Sequence, residues 1–351
     1  MTLSLPLKYR EAPHGIENKA KLLTVLSERG GADLAEDTNP LDLYVYRIKR
    51  MVYQQQTAFQ HITIADTYNF GRVLMLDGTV QSAQSDEALY HEMLIQPAML
   101  RHPNPEHVLI IGGGEGASLR EVLAHRCVRS ATMVDIDGEV VAACRKYLPT
   151  WHCGAFDDKR ARVLFEDGRK FIERDEAQYD VVIIDVVDML DNGPAQALYT
   201  KQFYESLRSR LRPGFVVAIQ GLEFTFNNSR EHAALLRTLR SVFRHAHSYS
   251  AAIPSFLSGW GFVVASDDYP AHRWNAKEID AAISRKLPLD WLVHLDGICL
   301  EKAFTHCRLT QRMLATPGPI LEDGIKLKFD IAREIASDTA RDVKTKFQPL
   351  R

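Results

Sequence analysis

The fold of this 351-residue chain is decided by one stretch of sequence, VLIIGGGEGA, which runs from Val108 to Ala117. Its first four residues are branched and apolar, which predicts a short buried strand, and a helical pattern resumes at Ala117. The glycines between strand and helix allow the backbone to approach a ligand, and the first turn of the helix offers free N–H groups. The stretch therefore allows a ligand to bind at this junction, although a run of glycines alone is weak evidence for one.

The sequence that follows alternates between short apolar segments and helical segments of about 10 to 15 residues. Alternation of this kind predicts a mainly parallel sheet with helices on both faces. The predicted strands are 108–111, 131–136, 162–165, 181–184, 215–219, 248–253 and 262–265, and the predicted helices are 117–125, 139–147, 198–211 and 230–243. Because the last two of the seven strands follow each other closely, we expect an α/β, Rossmann-like sheet of the methyltransferase type.

The part of the chain that precedes this region has a different pattern. Short β-rich pieces between residues 42 and 85 are separated by turn residues such as Gly71 and Asp77-Gly78, which predicts a small antiparallel domain of β-hairpins followed by a helix over 86–100. Residues 16–26 are compatible with a short amphipathic helix or with a partly ordered extension. The predicted segments are an N-terminal extension (1–40), a small β-hairpin domain with a linking helix (41–100), a Rossmann-like domain (101–320) and a C-terminal tail (321–351).

Composition and charge exclude several classes of protein. The formal net charge is -2, and no cluster of Lys and Arg is interleaved with aromatic residues, so we expect no nucleic acid partner. The apolar runs are far too short to span a bilayer, and the first residues lack the pattern of a secretory signal, so no membrane association is expected. The five cysteines are odd in number and contain no C-x-x-C pair, which indicates reduced thiols, a cytoplasmic location and no structural zinc site.

Acidic residues recur where the predicted strands end. Asp135 lies at the end of the second strand, about 20 residues after the glycines, where a carboxylate can accept hydrogen bonds from both ribose hydroxyls of an adenosine. Asp167 follows the third strand, and Asp185 and Asp188 follow the fourth. Since ligands bind outside the carboxyl ends of the strands in open α/β sheets, we expect these side chains and Glu115 to share one cleft. With no obvious Lys or Arg among them, such a cleft suits a cation.

Other interpretations of these residues stay open. Gly112, Gly114 and Ala117 also fit the G-x-G-x-x-A pattern of dinucleotide-binding proteins, although Glu115 places a negative charge where a pyrophosphate would lie. Asp167 is also compatible with a solvated strand end, and the two aspartates after the fourth strand with a helix cap. A metal ion is not predicted, because no His or Cys accompanies the acids at ligand spacing.

Several pieces of the sequence, taken in order, resemble the polyamine aminopropyltransferases. The resemblance covers roughly residues 60–267, and the order and spacing of the pieces make it specific. The pieces are Gln60, Val73-Leu74-Met75-Leu76-Asp77-Gly78, Gln81, Asp86-Glu87, Tyr90-His91-Glu92-Met93, His102-Pro103-Asn104-Pro105, Gly112-Gly113-Gly114-Glu115-Gly116, Asp135-Ile136-Asp137, Asp167-Gly168, and Asp185 with Asp188.

The resemblance implies that the donor is decarboxylated S-adenosylmethionine, acting as a co-substrate, and that no cofactor is bound. Glu115 would bind the free ammonium group of the aminopropyl chain, and it would disfavour the intact form of the donor, which carries a carboxylate. The residues predicted to hold the donor or its product methylthioadenosine are Gln60, Gly112, Gly114, Glu115, Asp135, Asp167, Gly168 and Pro194.

For the acceptor, the resemblance implies a polyamine channel. Asp185 would be the proton acceptor, and the residues that would bind the polyamine are Tyr90, His91, Glu115, Asp188 and Phe256. Phe256 stands where spermidine synthases usually carry a tyrosine, and Met189 replaces the usual proline after the second aspartate. Together with a longer loop after Asp188, these departures favour the thermospermine-synthase-type members of the family.

Several hypotheses follow from the resemblance. We expect transfer to spermidine, giving thermospermine or spermine; transfer to putrescine, giving spermidine, is the alternative. A methyltransferase that uses intact S-adenosylmethionine is disfavoured by Glu115 and by the Asp185 and Asp188 pair. A protein that only binds a polyamine or a nucleoside is disfavoured because every expected acidic position is retained.

Glu223, after the fifth strand, is a further candidate for contact with the acceptor. Analogy with the family implies a homodimer or homotetramer.

Overall fold

The computed structural model describes residues 23–26, 32–39, 42–189, 195–225, 228–270 and 274–324. Within these residues a six-stranded sheet is followed along the chain by a seven-stranded one. No helix in this part of the chain is both long enough and apolar enough to cross a membrane.

The smaller sheet is built from hairpins in sequence order. Its strands are β1 (Leu23–Leu26), β2 (Ala32–Asn39), β3 (Asp42–Gln56), β4 (His61–Thr67), β5 (Arg72–Leu76) and β6 (Thr79–Ala83), and each is antiparallel to the next. Asp77 and Gly78 join β5 to β6 with positive φ angles of 49° and 85°, which a tight two-residue hairpin turn requires. The predicted antiparallel β-domain is confirmed.

Two expectations for the start of the chain are wrong. Residues 23–26 form β1 rather than the end of a helix, whereas 16–22 lie outside the described residues. The small sheet also begins before residue 41, since β2 lies in the segment that we assigned to an N-terminal extension. Leu34 of β2 pairs with Tyr46 of β3, so contact with the neighbouring strand decides a conformation that the local sequence does not specify.

The larger sheet follows helix α1 (Glu87–Arg101). Its strands are β7 (His107–Gly112), β8 (Ser130–Asp135), β9 (Ala161–Phe165), β10 (Tyr179–Asp185), β11 (Leu211–Glu223), β12 (His245–Ile253) and β13 (Ser258–Ser266). They lie in the order β12-β13-β11-β10-β7-β8-β9, in which β13 is antiparallel to both of its neighbours and the strands from β11 to β9 are parallel. The predicted α/β, Rossmann-like sheet of the methyltransferase type is confirmed.

Helices cover both faces of this sheet. They are α2 (Ala117–Leu123), α3 (Gly138–Tyr147), α4 (Pro149–His152), α5 (Gly168–Arg174), α6 (Lys201–Arg208), α7 (Arg230–Val242), α8 (Ala276–Lys286), α9 (Gly297–Ala303) and α10 (Arg308–Ala315). Successive strand residues point to opposite faces, and both faces are buried: Ile184 belongs to one apolar cluster and Ile183 to the other. Burial on both faces explains why the strand sequences are continuous apolar runs.

The helix that we expected over residues 198–211 is shorter than predicted. It ends at Arg208, and β11 then starts at Leu211 and contains Pro213 and Gly214, the two residues that we interpreted as a break. The pairing of β10 with β11 shifts register at this point. Pro213 and Gly214 are poor strand formers, but β11 continues through them because a β-bulge accommodates them.

Candidate active site

The carboxyl ends of the parallel strands open into a cleft with two adjoining chambers. The inner chamber, of about 900 Å³, lies over the glycine loop that follows β7, and the outer chamber, of about 1050 Å³, lies beside β11. Gln81, Tyr90 and Val186 line both chambers. Because Gln81 comes from β6, the small sheet forms one wall of a site whose floor belongs to the large sheet.

Gly112 and Gly113 form a loop that lies against the end of the neighbouring strand β10. Their φ angles are +82° and +73°, in the left-handed region that glycine adopts without strain. A Cβ atom on Gly112 would lie 2.0 Å from the backbone oxygen of Asp185, and the N–H of Gly113 donates to that same oxygen at 2.8 Å. The loop after β7 is therefore packed directly against the end of β10.

One end of the inner chamber carries two carboxyl groups and an amide, from Asp135, Asp167 and Gln60. Burial raises the pKa of Asp135 to about 6, and its Oδ1 accepts from the backbone N–H of Asp137 at 2.8 Å. Gly114 leaves room for this side chain, since a Cβ there would lie 2.8 Å from Asp135 Oδ2. The Nε2 of Gln60 donates to Asp137 Oδ2 at 3.1 Å. This end therefore offers acceptors and an amide to a ligand with hydroxyl and amino groups.

Asp167 and Gly168 hold the start of α5 against the sheet. Asp167 Oδ1 accepts from the backbone N–H groups of Arg169 at 2.8 Å and Lys170 at 3.2 Å, which caps the helix. A Cβ on Gly168 would lie 2.6 Å from a side-chain carbon of Ile111, so only glycine fits there. Both residues also line the inner chamber, so Asp167 has a structural role besides the binding role predicted for it.

Glu115, which also lines the inner chamber, is supported from behind by a buried histidine. His91 Nε2 lies 2.9 Å from Glu115 Oε1, and His91 Nδ1 lies 2.6 Å from the backbone oxygen of Glu87. Burial opposes a charge on His91, but the contacts with Glu115 and Glu87 outweigh it and raise the histidine pKa to about 10. Burial raises the pKa of the Glu115 carboxyl, whereas the charge on His91 acts to lower it.

The position of His91 corrects one expectation. We expected this side chain to line the polyamine channel, but it is fully buried and lies behind Glu115 instead of on the wall of either chamber. The reason is its place on α1, where the i,i+4 spacing sets it against Glu87 within the protein interior. His91 therefore acts on the cleft through Glu115.

The carboxylate of Asp185 is held at both oxygens by neighbouring hydroxyl groups. Tyr90 Oη donates to Oδ1 at 3.0 Å, and Ser118 Oγ donates to Oδ2 at 2.5 Å. Asp185 lines the inner chamber and is followed by Val186, which lines both chambers. An oriented carboxylate therefore lies next to the junction of the two chambers.

Asp188 lines the outer chamber and is held by Gln220. Gln220 Nε2 donates to Asp188 Oδ1 at 3.2 Å and to Tyr199 Oη at 2.6 Å, while its Oε1 accepts from Trp260 Nε1 at 3.1 Å. Burial raises the pKa of the Asp188 carboxyl to about 6, against the effect of the hydrogen bond from Gln220. One amide therefore orients both a carboxylate and an aromatic wall of this chamber.

Carboxylates dominate the polar wall of the outer chamber, which is lined by Glu36, Asp188, Glu223 and Glu231, with no Lys or Arg among the described lining residues. Glu36 Oε2 accepts from Tyr46 Oη at 2.8 Å, and Oε1 accepts from the backbone N–H of Val80 at 3.3 Å. Burial raises the pKa of Glu36 to about 7. The chamber is therefore suited to an elongated ligand with several positive charges.

The opposite wall of the outer chamber is aromatic. The rings of Phe256 and Trp260 meet edge to face with centroids 4.7 Å apart, and Phe256 lies 5.7 Å from the ring of Tyr90. The turn that carries Phe256 is anchored by Asp86, which accepts from the backbone N–H and the hydroxyl of Ser255 at 2.7 and 2.8 Å. Phe256, which we predicted to bind the polyamine, thus lines the outer chamber with Trp260 beside it.

Several residues of the site were not predicted from the sequence. Glu36 lies in the segment that we treated as an extension, and Glu231 resembles an ordinary acidic residue in the first turn of a helix. Ser118 lies on a short helix whose residues are all buried. Gln220 had a usable signal, because it is a polar residue at the end of a buried apolar strand.

Two predictions about the site are not tested by the described residues. Pro194, predicted to line the donor pocket, lies outside the described residues, together with the rest of 190–194. Among the described residues, no group of three or more His, Cys, Asp or Glu side chains is arranged to hold a metal ion. That the site uses no metal and no bound cofactor stays a prediction.

Comparison with known proteins finds two family models that match adjoining parts of the chain. The model of the spermidine synthase tetramerisation domain matches residues 35–84, and that of the spermine/spermidine synthase domain matches residues 87–275. The chain is 61% identical over 301 residues to polyamine aminopropyltransferase 2 of Pseudomonas aeruginosa, covering 86% of each chain. It is 46% identical over 222 residues to a polyamine aminopropyltransferase of Aeropyrum pernix, covering 63% of this chain and 70% of that relative.

Solved structures show the same likeness. A crystal structure of a spermidine synthase in complex with the transition state analogue AdoDATO superimposes with a TM-score of 0.73 at 30% identity, covering 78% of this chain and 92% of that one. A crystal structure of spermidine synthase from Thermotoga maritima gives a TM-score of 0.71 at 30% identity, covering 78% and 91%.

Proposed function

Because the chain belongs to the spermine/spermidine synthase family, we propose that it transfers the aminopropyl group of decarboxylated S-adenosylmethionine to an amine of a polyamine and releases 5′-methylthioadenosine. As acceptor we propose spermidine, with thermospermine or spermine as the product. The aminopropyltransferase class follows from the family. The observation that carries the proposal is a cleft with Asp185 near the junction of two chambers that are both lined by carboxylates.

The inner chamber fits the donor. Asp135 would accept hydrogen bonds from the ribose hydroxyls, and Gln60, Asp167 and Gly168 would contact the rest of the adenosine. Glu115, supported by His91, would bind the terminal ammonium group of the aminopropyl chain. Intact S-adenosylmethionine carries a carboxylate next to that ammonium, and a buried carboxylate in the wall repels it.

The reaction that this geometry supports is an in-line displacement. The nitrogen of a neutral acceptor amine forms a bond to the carbon next to the sulfonium as the bond from that carbon to sulfur breaks, and methylthioadenosine leaves as a neutral thioether. The proton released from the attacking nitrogen passes to Asp185. Most of the rate enhancement comes from alignment of the two substrates, and a positioned base contributes about 10²- to 10⁴-fold.

The outer chamber supports the choice of a triamine as acceptor. Asp188, held by Gln220, would bind near the attacking amine, and Glu36, Glu223 and Glu231 would receive the ammonium groups farther along the chain. The aromatic wall formed by Phe256 and Trp260 would contact the methylene groups between them. Beyond the attacking amine, putrescine keeps one ammonium group and spermidine keeps two, so spermidine can contact more of these carboxylates and is favoured over putrescine.

The alternatives differ in ways that an assay resolves. Spermidine synthase activity would use putrescine in the same cleft with the same donor. A methyltransferase would use intact S-adenosylmethionine, and the support for an aminopropyl donor over this one is Glu115, with a histidine cation behind it.

The test is to incubate the purified protein with decarboxylated S-adenosylmethionine and, separately, with putrescine, spermidine, spermine and norspermidine. Chromatography that resolves thermospermine from spermine identifies the product, and Asp185→Asn serves as the control. We expect methylthioadenosine and a tetraamine from spermidine, both lost in the variant. Spermidine formed from putrescine as the main product would overturn the acceptor assignment, and methyl transfer from intact S-adenosylmethionine would overturn the class of donor.

We also propose that the protein is a homodimer or homotetramer that acts in the cytoplasm. The match of residues 35–84 to a tetramerisation domain supports self-association through the small sheet. The described cysteines, which include all five of the chain, are free thiols, which agrees with a reducing compartment. Sedimentation analysis of the purified protein measures the oligomer directly.

A further inference from the structure

A buried serine that belongs to neither chamber wall contacts the proposed proton acceptor. Ser118 is the second residue of α2, it has no exposed surface, and its Oγ donates to Asp185 Oδ2 at 2.5 Å across 67 residues of sequence. Neither chamber is lined by this residue. Any effect of its hydroxyl on substrate must therefore pass through Asp185.

The glycine loop brings the serine to this position. Gly113 donates its N–H to the backbone oxygen of Asp185, and a Cβ on Gly113 would lie 3.4 Å from both Ser118 Cβ and Asp185 Oδ2. A Cβ there would be in ordinary van der Waals contact with both, so the loop lies directly beside the serine and the carboxylate. Gly116, with a φ angle of +81°, is the residue before α2, so the helix that carries Ser118 begins directly after this loop.

The two hydroxyl groups on Asp185 have different access to substrate. Tyr90 Oη donates to Oδ1 at 3.0 Å, and the tyrosine lines both chambers, so an incoming amine meets it directly. Ser118 binds the other oxygen from the protein interior. A carboxylate has about four lone-pair sites, so each oxygen keeps one for the acceptor amine while the serine holds the group in place.

We infer that Ser118 is a positioning residue for the transfer reaction, whose hydroxyl holds Asp185 in the orientation that receives the proton of the attacking amine. This inference rests on the proposed function. A hydroxyl that donates to the carboxylate restricts its rotation and leaves its remaining lone pairs free for the attacking amine. Loss of the hydroxyl should therefore reduce turnover without weakening binding of the donor.

The experiment compares Ser118→Thr with Ser118→Val, two side chains of the same shape that differ by the hydroxyl. Both add a methyl group to a buried site, and the valine variant also loses the hydrogen bond to Asp185, so it is expected to be the less stable of the two in a thermal melt. Ser118→Ala, which removes the hydroxyl without added bulk, is the second test if the valine variant does not fold. For each variant, kcat, the KM of the donor and the dissociation constant of methylthioadenosine are measured.

We expect kcat to fall about tenfold or more in Ser118→Val and Ser118→Ala, because misplacement of a reacting group by a fraction of an ångström is costly, and to stay within about threefold in Ser118→Thr. The KM of the donor and the affinity for methylthioadenosine should not change in any of the variants. Equal kcat for the threonine and valine variants would overturn the inference. A wild-type protein without aminopropyl transfer would instead overturn the proposed function on which the inference rests.

Discussion

The inner and outer chambers of the cleft are built in opposite ways. The inner chamber is lined mainly by residues that follow successive parallel strands, including Glu115, Asp135, Asp167 and Asp185. The outer chamber collects its carboxylates from distant parts of the chain: a strand of the small sheet, the loop after β10, the end of β11 and the start of α7. Local sequence motifs therefore specify the inner chamber, which we propose binds the donor. The outer chamber, which we propose binds the acceptor, depends on how separate elements pack together.

The two chambers are alike in the effect of burial on their carboxyl groups. In the inner chamber, burial raises the pKa of Asp135 to about 6 and also raises that of Glu115, although the charge on His91 acts to lower it. In the outer chamber, burial raises the pKa of Asp188 to about 6 and that of Glu36 to about 7. Both chambers should therefore respond to pH near neutrality, and a substitution at a single carboxyl group is needed to assign each response.

The largest effect on turnover is expected for substitution of Asp185, which lies next to the junction of the two chambers. Asp185→Asn removes the proposed proton acceptor without changing the shape of the side chain, so kcat should fall by about 10²- to 10⁴-fold. Binding of methylthioadenosine, followed by calorimetry, should stay within about twofold of the wild type, because the nucleoside does not need this charge. A variant that retains most of its kcat would show that alignment alone drives the transfer.

The second-largest effect is expected for substitution of Glu115 in the inner chamber, and it concerns the KM of the donor. Glu115→Gln removes the charge that faces the donor ammonium group, and since hydrogen bonds to charged groups contribute about 1.5–3 kcal/mol, the KM of the donor should rise about 10- to 100-fold. Methylthioadenosine lacks the ammonium group and is the matched control ligand, whose affinity should not change. Equal weakening of both ligands would mean that the substitution disturbs the chamber as a whole.

A smaller and pH-dependent effect is expected in the outer chamber. Burial raises the pKa of Glu36 to about 7, so this carboxyl is ionised above that pH and protonated below it. An ionised carboxylate binds an ammonium group, so the KM of spermidine should rise as the pH falls through about 7, by about fivefold or roughly 1 kcal/mol. Glu36→Gln should have the higher KM above about pH 7, should match the wild type below it, and should lose this rise.

Putrescine is the control substrate for the Glu36 variant. The shorter diamine does not extend to the far end of the chamber, so its KM should be the same in the wild type and in Glu36→Gln. Because the pKa of Asp188 is also raised, to about 6, a fall in affinity common to both proteins at lower pH belongs to that residue. An unchanged pH dependence for spermidine in the variant would remove Glu36 from the acceptor site.

The smallest effect is expected for Phe256→Tyr. The added hydroxyl places a polar group on the aromatic wall beside Tyr90 and Trp260, where we expect contact with the methylene groups of the acceptor. The ratio of kcat/KM for spermidine to that for putrescine should fall about two- to threefold, and the free energy of unfolding should change by less than about 1 kcal/mol. A reversal of the preference would make this position, rather than the outer carboxylates, the main determinant of the acceptor.

Much of the fold followed from the sequence, and the exceptions have physical reasons. The strands of the larger sheet are predictable because each is an apolar run buried on both faces. Strand β2 was missed because its conformation depends on pairing with β3, and the start of β11 was missed because Pro213 and Gly214 are accommodated in a bulge. In both cases a neighbouring strand outweighs the local preference.

The same distinction holds for the site, where the sequence by itself determined which strand ends carry carboxylates. In a parallel sheet those ends lie at one edge, so the inner chamber could be outlined without coordinates. Only the tertiary structure placed His91 behind Glu115, Ser118 against Asp185 and Glu36 in the outer chamber. These contacts join side chains that are far apart in sequence, and their geometry depends on how helices and sheets pack, which periodicity along the chain does not encode.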